Sequence, residues 1–183
     1  MSDTKIICIS GKARHGKDTV AEYLRNFLKE KDLRVAVIHN GDLVKFVCSQ
    51  LFGWDGEKDE KGRHLLQYVG TDVVRRQRPD YWVNFIIDLL GLFPNEWDFV
   101  IIPDCRFPNE IDRFIEAGFK TYHFRVNRPN FDSDLTEEAK KHISETALDN
   151  FVYDVMINNS GGLNSLKYHC EILADVLEGE VFL

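Results

Sequence analysis

The sequence predicts an α/β protein, a three-layer αβα sandwich built on a mostly parallel five-stranded sheet. Three observations carry this prediction. Apolar runs of strand length alternate with segments of helical periodicity along the whole chain. The first strand is joined to the first helix by Gly11-Lys12-Ala13-Arg14-His15-Gly16-Lys17-Asp18-Thr19, a glycine-rich loop with a lysine at the helix start. The charged residues Asp42, Asp104 and Arg128 fall where predicted strands end, the edge at which parallel sheets gather ligands.

The elements follow in order. Ile6-Ile7-Cys8-Ile9 is a buried strand, and the helix after the loop turns Val20, Leu24, Phe27 and Leu28 to one side. Arg34 to His39 reads as a second strand, closed by Asn40-Gly41-Asp42, where Asp42 can cap a helix carrying Leu43, Val44, Val47 and Leu51 inward to Gly53. Asp55 to Gly62 is charged and has no core signal, which predicts a mobile loop. Residues 63–77 form a helix with Leu65, Leu66, Val69 and Val73 in register, ending in the basic Arg75-Arg76-Gln77-Arg78. Pro79-Asp80 restarts the chain into a helix with Trp82, Phe85, Ile86, Leu89 and Leu90. Three helices between two strands exceed a simple crossover, so residues about 43–95 read as an inserted helical substrate lobe on a core of 1–42 and 96–183.

Trp97 to Ile102 is the third strand, and Pro103 should stop its pairing because proline lacks the ladder donor. Pro108 opens a helix with Ile111, Phe114 and Ile115 on its inner face and Gly118 at its end. Lys120 to Val126 is the fourth strand. The polar stretch 130–150 reads as a solvent-exposed lid, placed at about 128–148, and contains Asp134 and Glu137 at capping-box spacing. Val152 to Ile157 is the fifth strand, Asn158 to Gly162 a turn, and the last helix aligns Leu163, Leu166, Cys170, Leu173, Ala174 and Leu177.

At 183 residues with 44% hydrophobic and 29% charged residues, the chain fits one soluble domain. A net charge of −7 argues against nucleic-acid or anionic-membrane surfaces, so any anion site must be a local basic pocket. Four scattered cysteines predict reduced thiols and a cytoplasmic setting (that of the host if phage-encoded), and no leader or membrane-spanning run is expected.

The loop's chemistry is specific. Glycines let backbone N–H groups turn inward, the helix start adds its positive dipole end, and Lys17 adds a point charge, together a cradle for a nucleotide's phosphates. Asp18 stands where a hydroxyl is usual and Thr19 follows it, so a metal can be held by either. An apolar strand delivering Asp104 suits Mg²⁺, with helix capping as the plainer role. Arg14, Arg63, Arg75, Arg76, Arg106 and Arg128 are candidate phosphate ligands because the guanidinium fork binds two oxygens. Against this, Arg75 and Arg76 could merely complement a helix C-terminus, and Arg106 a surface ion pair. Trp82, Tyr81 and Phe46 could stack on a base or simply be core.

These residues resemble the deoxynucleoside monophosphate kinase family of phages and some bacteria. The pieces that match are Ser10 to Thr19, Gly41-Asp42-Leu43-Val44-Lys45, and Gly62-Arg63-His64-Leu65-Leu66-Gln67 through Gly70-Thr71 to Arg75-Arg76. Further matches are Pro79-Asp80-Tyr81-Trp82-Val83, Asp104-Cys105-Arg106-Phe107-Pro108-Asn109-Glu110, Arg128-Pro129, and His142-Ile143-Ser144-Glu145-Thr146-Ala147-Leu148-Asp149. The resemblance implies a P-loop NTPase fold of the nucleoside monophosphate kinase kind, with ATP as donor and Mg²⁺ as cofactor. It implies Gly11 to Thr19 around the ATP phosphates, with Lys17, Arg106, Asp104 and Arg128 as catalytic groups. Mg²⁺ would lie near Asp18, Thr19 and Asp104. The acceptor, a small-molecule nucleotide, would meet Asp42, Lys45, Arg63, Gln67, Arg75, Arg76, Trp82 and Glu145. It leaves room for a homodimer. A phosphomevalonate-kinase-like enzyme and a nucleotide-binding module without transfer are the competing expectations.

Overall fold

A computed structural model describes residues 3–133 and 135–179. Its centre is β1 (Lys5–Ser10), whose residues are buried on both faces, as expected of a strand covered by helices on either side. Ile7 and Ile9 point to one layer and Ile6 and Cys8 to the other, the two-residue period of a strand. Flanking it are β3 (Phe99–Ile102) and β4 (Lys120–Asn127), with β2 (Val35–Val37) and β5 (Val155–Asn158) at the edges. The order β2-β3-β1-β4-β5 is parallel throughout, with Ile7 opposite Ile101 on one side and Tyr122 on the other.

One face is covered by α1 (Lys17–Glu30) and α8 (Gly162–Gly179), where Val20, Leu24, Leu28, Leu166, Cys170 and Ala174 join Ile7 and Ile9. The other is covered by α4 (Tyr81–Leu92) and α5 (Pro108–Glu116), through Val83, Ile86, Leu90, Ile111 and Phe114. A third apolar cluster, Val44, Cys48, Val69 and Trp82, lies among the helices between β2 and β3. These are α2 (Gly41–Phe52), α3 (Glu60–Gln67), its continuation Tyr68–Arg75, which carries Val69, and α4. No helix among the described residues is long and apolar enough to cross a membrane.

Several elements differ from expectation for identifiable reasons. The predicted helix over 63–77 begins earlier, because the Asp59 carboxylate caps α3 by accepting from Gly62 N at 2.7 Å. From Tyr68 to Arg75 it widens into a π-helix. Within this stretch Gly70 presses on α2, where a Cβ would lie 3.1 Å from Val44, and its carbonyl accepts from Trp82 Nε1 at 2.9 Å. The stretch before it, expected as a loop without core contacts, is tightly folded: Trp54 Nε1 donates to Glu57 O at 2.8 Å, and a Cβ on Gly62 would lie 2.0 Å from that same oxygen. The third strand starts at Phe99, after Asp98, whose carboxylate takes Arg34 N and the Arg34 guanidinium. It ends at Ile102, as Pro103 requires. The fifth strand starts at Val155, three residues late, because the His123 ring and main-chain N–H engage Val152 O and Asp154 Oδ2. The polar stretch carries two short helices, α6 (Glu137–Lys141) and α7 (Ile143–Thr146). Asp134 lies outside the described residues, and the cap of α6 is the Thr136 hydroxyl, which accepts from Ala139 N at 3.2 Å.

Trp82 is 2% exposed, so its expected stacking on a substrate base gives way to a core role. Replacing it by phenylalanine leaves Gly70 O without its buried donor. Trp82→Phe is expected to cost about 1–3 kcal/mol of stability. Urea unfolding would show a lower midpoint at an unchanged slope.

Candidate functional site

The site forms at the carboxyl edge of β1, β3 and β4. Beyond β1 the chain must turn sharply beneath β4. Gly11 does so at φ 149°, where a Cβ would lie 2.4 Å from Val126 O, and Gly16 closes the loop at φ 100°. Gly16 is also backed by Asn159, whose Nδ2 donates to His15 O at 3.1 Å. Lys17, the first residue of α1, folds its side chain back into the loop. Its Nζ donates to Gly11 O and Lys12 O, both at 2.9 Å. Burial, and then the nearby Arg106 guanidinium, lower its pKa from 10.5 to about 8.

Arg106 arrives from the end of β3. Its guanidinium meets the Glu145 carboxylate from α7, and the other oxygen of that carboxylate accepts from Ala13 N in the loop at 3.1 Å. Lys12 Nζ donates to Glu145 O at 2.7 Å and to Asp149 Oδ2 at 2.6 Å. The segment after β4 is thus drawn onto the loop, and a side-chain carboxylate sits on one of its amides. Amides of a glycine-rich loop at a helix start favour an anion of this kind.

Behind Arg106 lies Glu110, 1% exposed. It reaches back to accept from Arg106 N at 2.6 Å and Phe107 N at 3.1 Å, and it accepts from Arg75 Nη2 at 2.5 Å. Burial raises its pKa, opposed first by Arg75. Arg75 also lies 4.0 Å from the centre of the Phe107 ring. Arg75 was expected on the acceptor; here it holds the β3–α5 turn, because Glu110 presents a buried carboxylate that needs a cation.

The remaining candidates are distributed around this centre. Asp104 accepts from Asn40 N and Gly41 N, both at 2.8 Å, so it caps α2. Asp42, the expected cap, instead pairs with Lys45 at 2.7 Å. His39 bridges Asp42 and Asp18, at 3.4 and 3.5 Å. The hydrogen bond from His39 lowers the pKa of Asp18 and correspondingly raises that of His39. Arg63 donates to Lys58 O at 2.8 Å, and Arg76 is exposed. Gln67 is partly buried on α3. Arg128 follows directly on β4, its guanidinium 4.1 Å from the Phe131 ring, while its main-chain N–H donates to His15 Nδ1 at 3.1 Å. Burial lowers the pKa of His15, in keeping with an imidazole that accepts a hydrogen bond.

Glu110 and Asn159 are the site residues that sequence reasoning missed. For Glu110 a signal existed: an acid in the first turn of a helix that begins Phe107-Pro108, the spacing of a carboxylate returning to the preceding amides. Asn159 gave none beyond a turn.

A sequence model of the family described as "Deoxynucleotide monophosphate kinase" matches residues 54–170. The chain belongs to this family. The matched stretch takes in α3, Arg75, Asp104, Arg106, Glu110, Arg128 and Glu145 but not the glycine-rich loop, which the geometry supplies independently. "Deoxynucleotide monophosphate kinase" of Enterobacteria phage T4 is 36% identical over 106 residues, covering 57% of this chain and 41% of that one. The chain therefore matches less than half the length of that relative. A protein of Acanthamoeba polyphaga mimivirus is 29% identical over 93% of this chain and 95% of its own. Among solved structures, Mycobacterium tuberculosis APS kinase CysC, in complex with AMPPNP and APS, superposes with a TM-score of 0.57 at 14% identity, covering 96% of this chain and 98% of that one. At that identity the match speaks for a shared fold.

The depressed pKa of Lys17 has a measurable consequence. Between about pH 8 and 10.5 the unfolded chain keeps a proton that folded Lys17 has lost, so folding stability rises with pH across that window. A polyphosphate beside the amine would restore the proton. Binding of an ATP analogue at or just above pH 8 is therefore expected to take up protons and to weaken as pH rises. Calorimetry in buffers of different ionisation enthalpy measures this; pH-independent binding without proton uptake would contradict it.

Proposed function

We propose that this protein transfers the γ-phosphoryl group of ATP to a deoxynucleoside monophosphate, giving ADP and a deoxynucleoside diphosphate. The observation that carries this reading is the convergence of the Lys17 amine, the loop amides and the Arg106 guanidinium at the carboxyl edge of the sheet. Such a cluster neutralises the charge that spreads over a phosphoryl group in flight. The family description supports a monophosphate acceptor, and the APS kinase that shares the fold was solved with the ATP analogue AMPPNP.

Each residue then has a task. The amides of Gly11 to Thr19 hold the triphosphate, and Lys17 exchanges its two carbonyl partners for phosphate oxygens. Arg106 leaves Glu145 to meet the transferred group, and Arg128 closes from the lid. The acceptor lies toward Asp42, Lys45, Arg63, Gln67 and Arg76, while Arg75 positions the Arg106 turn through Glu110. No general base is required, because a monophosphate with a second pKa of about 6 is already a nucleophilic dianion at neutral pH.

Asp18, Thr19 and Asp104 provide carboxylate and hydroxyl oxygens, the donor chemistry that suits Mg²⁺, and the Asp18 side chain is 84% exposed. Asp104 fits less freely, since both its oxygens already accept main-chain N–H groups. Mg²⁺ held there would neutralise charge on the donor phosphates. Among the described residues no three His, Cys, Asp or Glu side chains gather into a metal site, which suits an ion carried mainly by the nucleotide.

The test is ADP release from ATP against a panel of deoxynucleoside monophosphates. Acceptor-dependent turnover is expected, and Lys17→Ala is expected to lower it by roughly 10²-fold or more while circular dichroism stays unchanged. Turnover with non-nucleotide phosphates alone would favour a small-metabolite kinase. Binding without transfer would favour a regulatory module. Undiminished transfer by the Lys17 variant would overturn the assignment.

A further inference from the structure

The glycine-rich loop carries two lysines, and they are engaged differently. Lys17 folds back into the loop. Lys12 reaches out of it: its Nζ donates to Glu145 O at 2.7 Å and meets both oxygens of the Asp149 carboxylate at 2.6 Å. Asp149 is shared, since its Oδ1 also accepts from Arg125 Nη2 at 3.0 Å. Arg125 comes from β4, where it stands opposite Ser10, the last residue of β1 before the loop. Between Glu145 and Asp149, Leu148 is 4% exposed and belongs to the apolar cluster of Ile6, Cys8 and Phe114. Residues 145–149 are therefore pinned, and the Asp149 carboxylate lies between two cations that would otherwise repel one another.

Both ends of Lys12 are in use. Its carbonyl accepts from Lys17 Nζ at 2.9 Å, and its amine holds residues 145–149. The next residue, Ala13, gives its N–H to the Glu145 carboxylate. One residue thus joins the cage around Lys17 to the segment after β4. An incoming phosphate would ask different things of the two amines. Lys17 gives up only neutral carbonyls, whereas Lys12 would have to break a charge-assisted contact with both carboxylate oxygens. The Glu145 side chain can swing away from Ala13 N while Lys12 keeps its main chain in place.

We propose that Lys12 is a positioning residue and not a phosphate ligand: clasped by Asp149, it holds the first half of the loop in the shape that receives the donor nucleotide. This rests on the donor site proposed above and divides the loop's two lysines between binding and support.

The sign of one substitution separates the two roles. If Lys12 were a phosphate ligand held in reserve, Asp149→Asn would release it and remove a nearby negative charge, and the ATP analogue AMPPNP would bind more tightly. With Asp149 as the clasp that shapes the loop, Asp149→Asn is expected to weaken AMPPNP binding by about three- to tenfold, the scale of one partly exposed charged contact. Lys12→Met is expected to weaken it similarly, and the double variant no further than the single ones. Lys12→Arg keeps a donor for Asp149 and is expected to bind nearly as the unaltered chain does. Titration calorimetry measures these affinities, and melting temperatures of the nucleotide-free proteins check folding. Tighter binding by Asp149→Asn would overturn the proposal. So would effects that multiply in the double variant, single variants that bind as the unaltered chain does, or a Lys12→Arg variant as weak as Lys12→Met. Absence of AMPPNP binding by the unaltered chain would bring down the donor site and this proposal together.

Discussion

The whole arrangement depends on one awkward placement: an ammonium group taken out of water at the start of α1. Lys17 Nζ is held by the carbonyls of Gly11 and Lys12, which are free to face it because the loop curls around the amine. That curl is possible only where β4 runs close above Gly11 and Asn159 backs Gly16. The parallel sheet supplies the geometry, since β1 and β4 align their ends and deliver the loop and the segment after β4 to one edge. Removing the amine from water makes its charge cheap to give up and strong in effect, the condition under which a fixed cation acts on a phosphate.

Around it runs a sequence of alternating charges. Glu145 lies between the loop and Arg106, Glu110 holds the Arg106 main chain, and Arg75 answers Glu110. The chain links the segment after β4, the end of β3 and the helices between β2 and β3, three parts far apart in sequence. Its outer member is a carboxylate that touches a loop amide and Arg106 together. On the proposed function, a phosphate that displaces it would free Arg106 at the same moment, so loop occupancy and arginine availability would be coupled by this one side chain. Inside the chain, Glu110 and Arg75 are too buried to exchange partners easily, so they read as the fixed support of the moving pair.

Much of this was legible in the sequence, because it follows from local rules. The loop, the order of strands and helices, the stop at Pro103 and the delivery of Asp104 and Arg106 to a strand end all come from spacing and turn chemistry. What was not legible are choices made between distant residues. Asp104 or Asp42 could cap α2 by sequence alone, and only the register of β2 beside β3 brings Asp104 to the Asn40 and Gly41 amides. Arg75 looks like a substrate arginine until a buried glutamate from another helix claims it. Trp82 has the same helical spacing whether it faces a ligand or Gly70. The late start of β5 depends on His123, one strand away, whose ring and amide hold Val152 and Asp154 outside the ladder.

The central proposal is that the loop now touched by Glu145 seats the donor phosphates. A crystal structure with a non-hydrolysable ATP analogue and a deoxynucleoside monophosphate tests it directly. Phosphate oxygens are expected on the amides of Gly11 to Thr19, with Lys17 Nζ turned from its carbonyls to those oxygens and Glu145 lifted from Ala13 N. An analogue bound elsewhere, with the contacts of Lys17 and Glu145 unchanged, would contradict it.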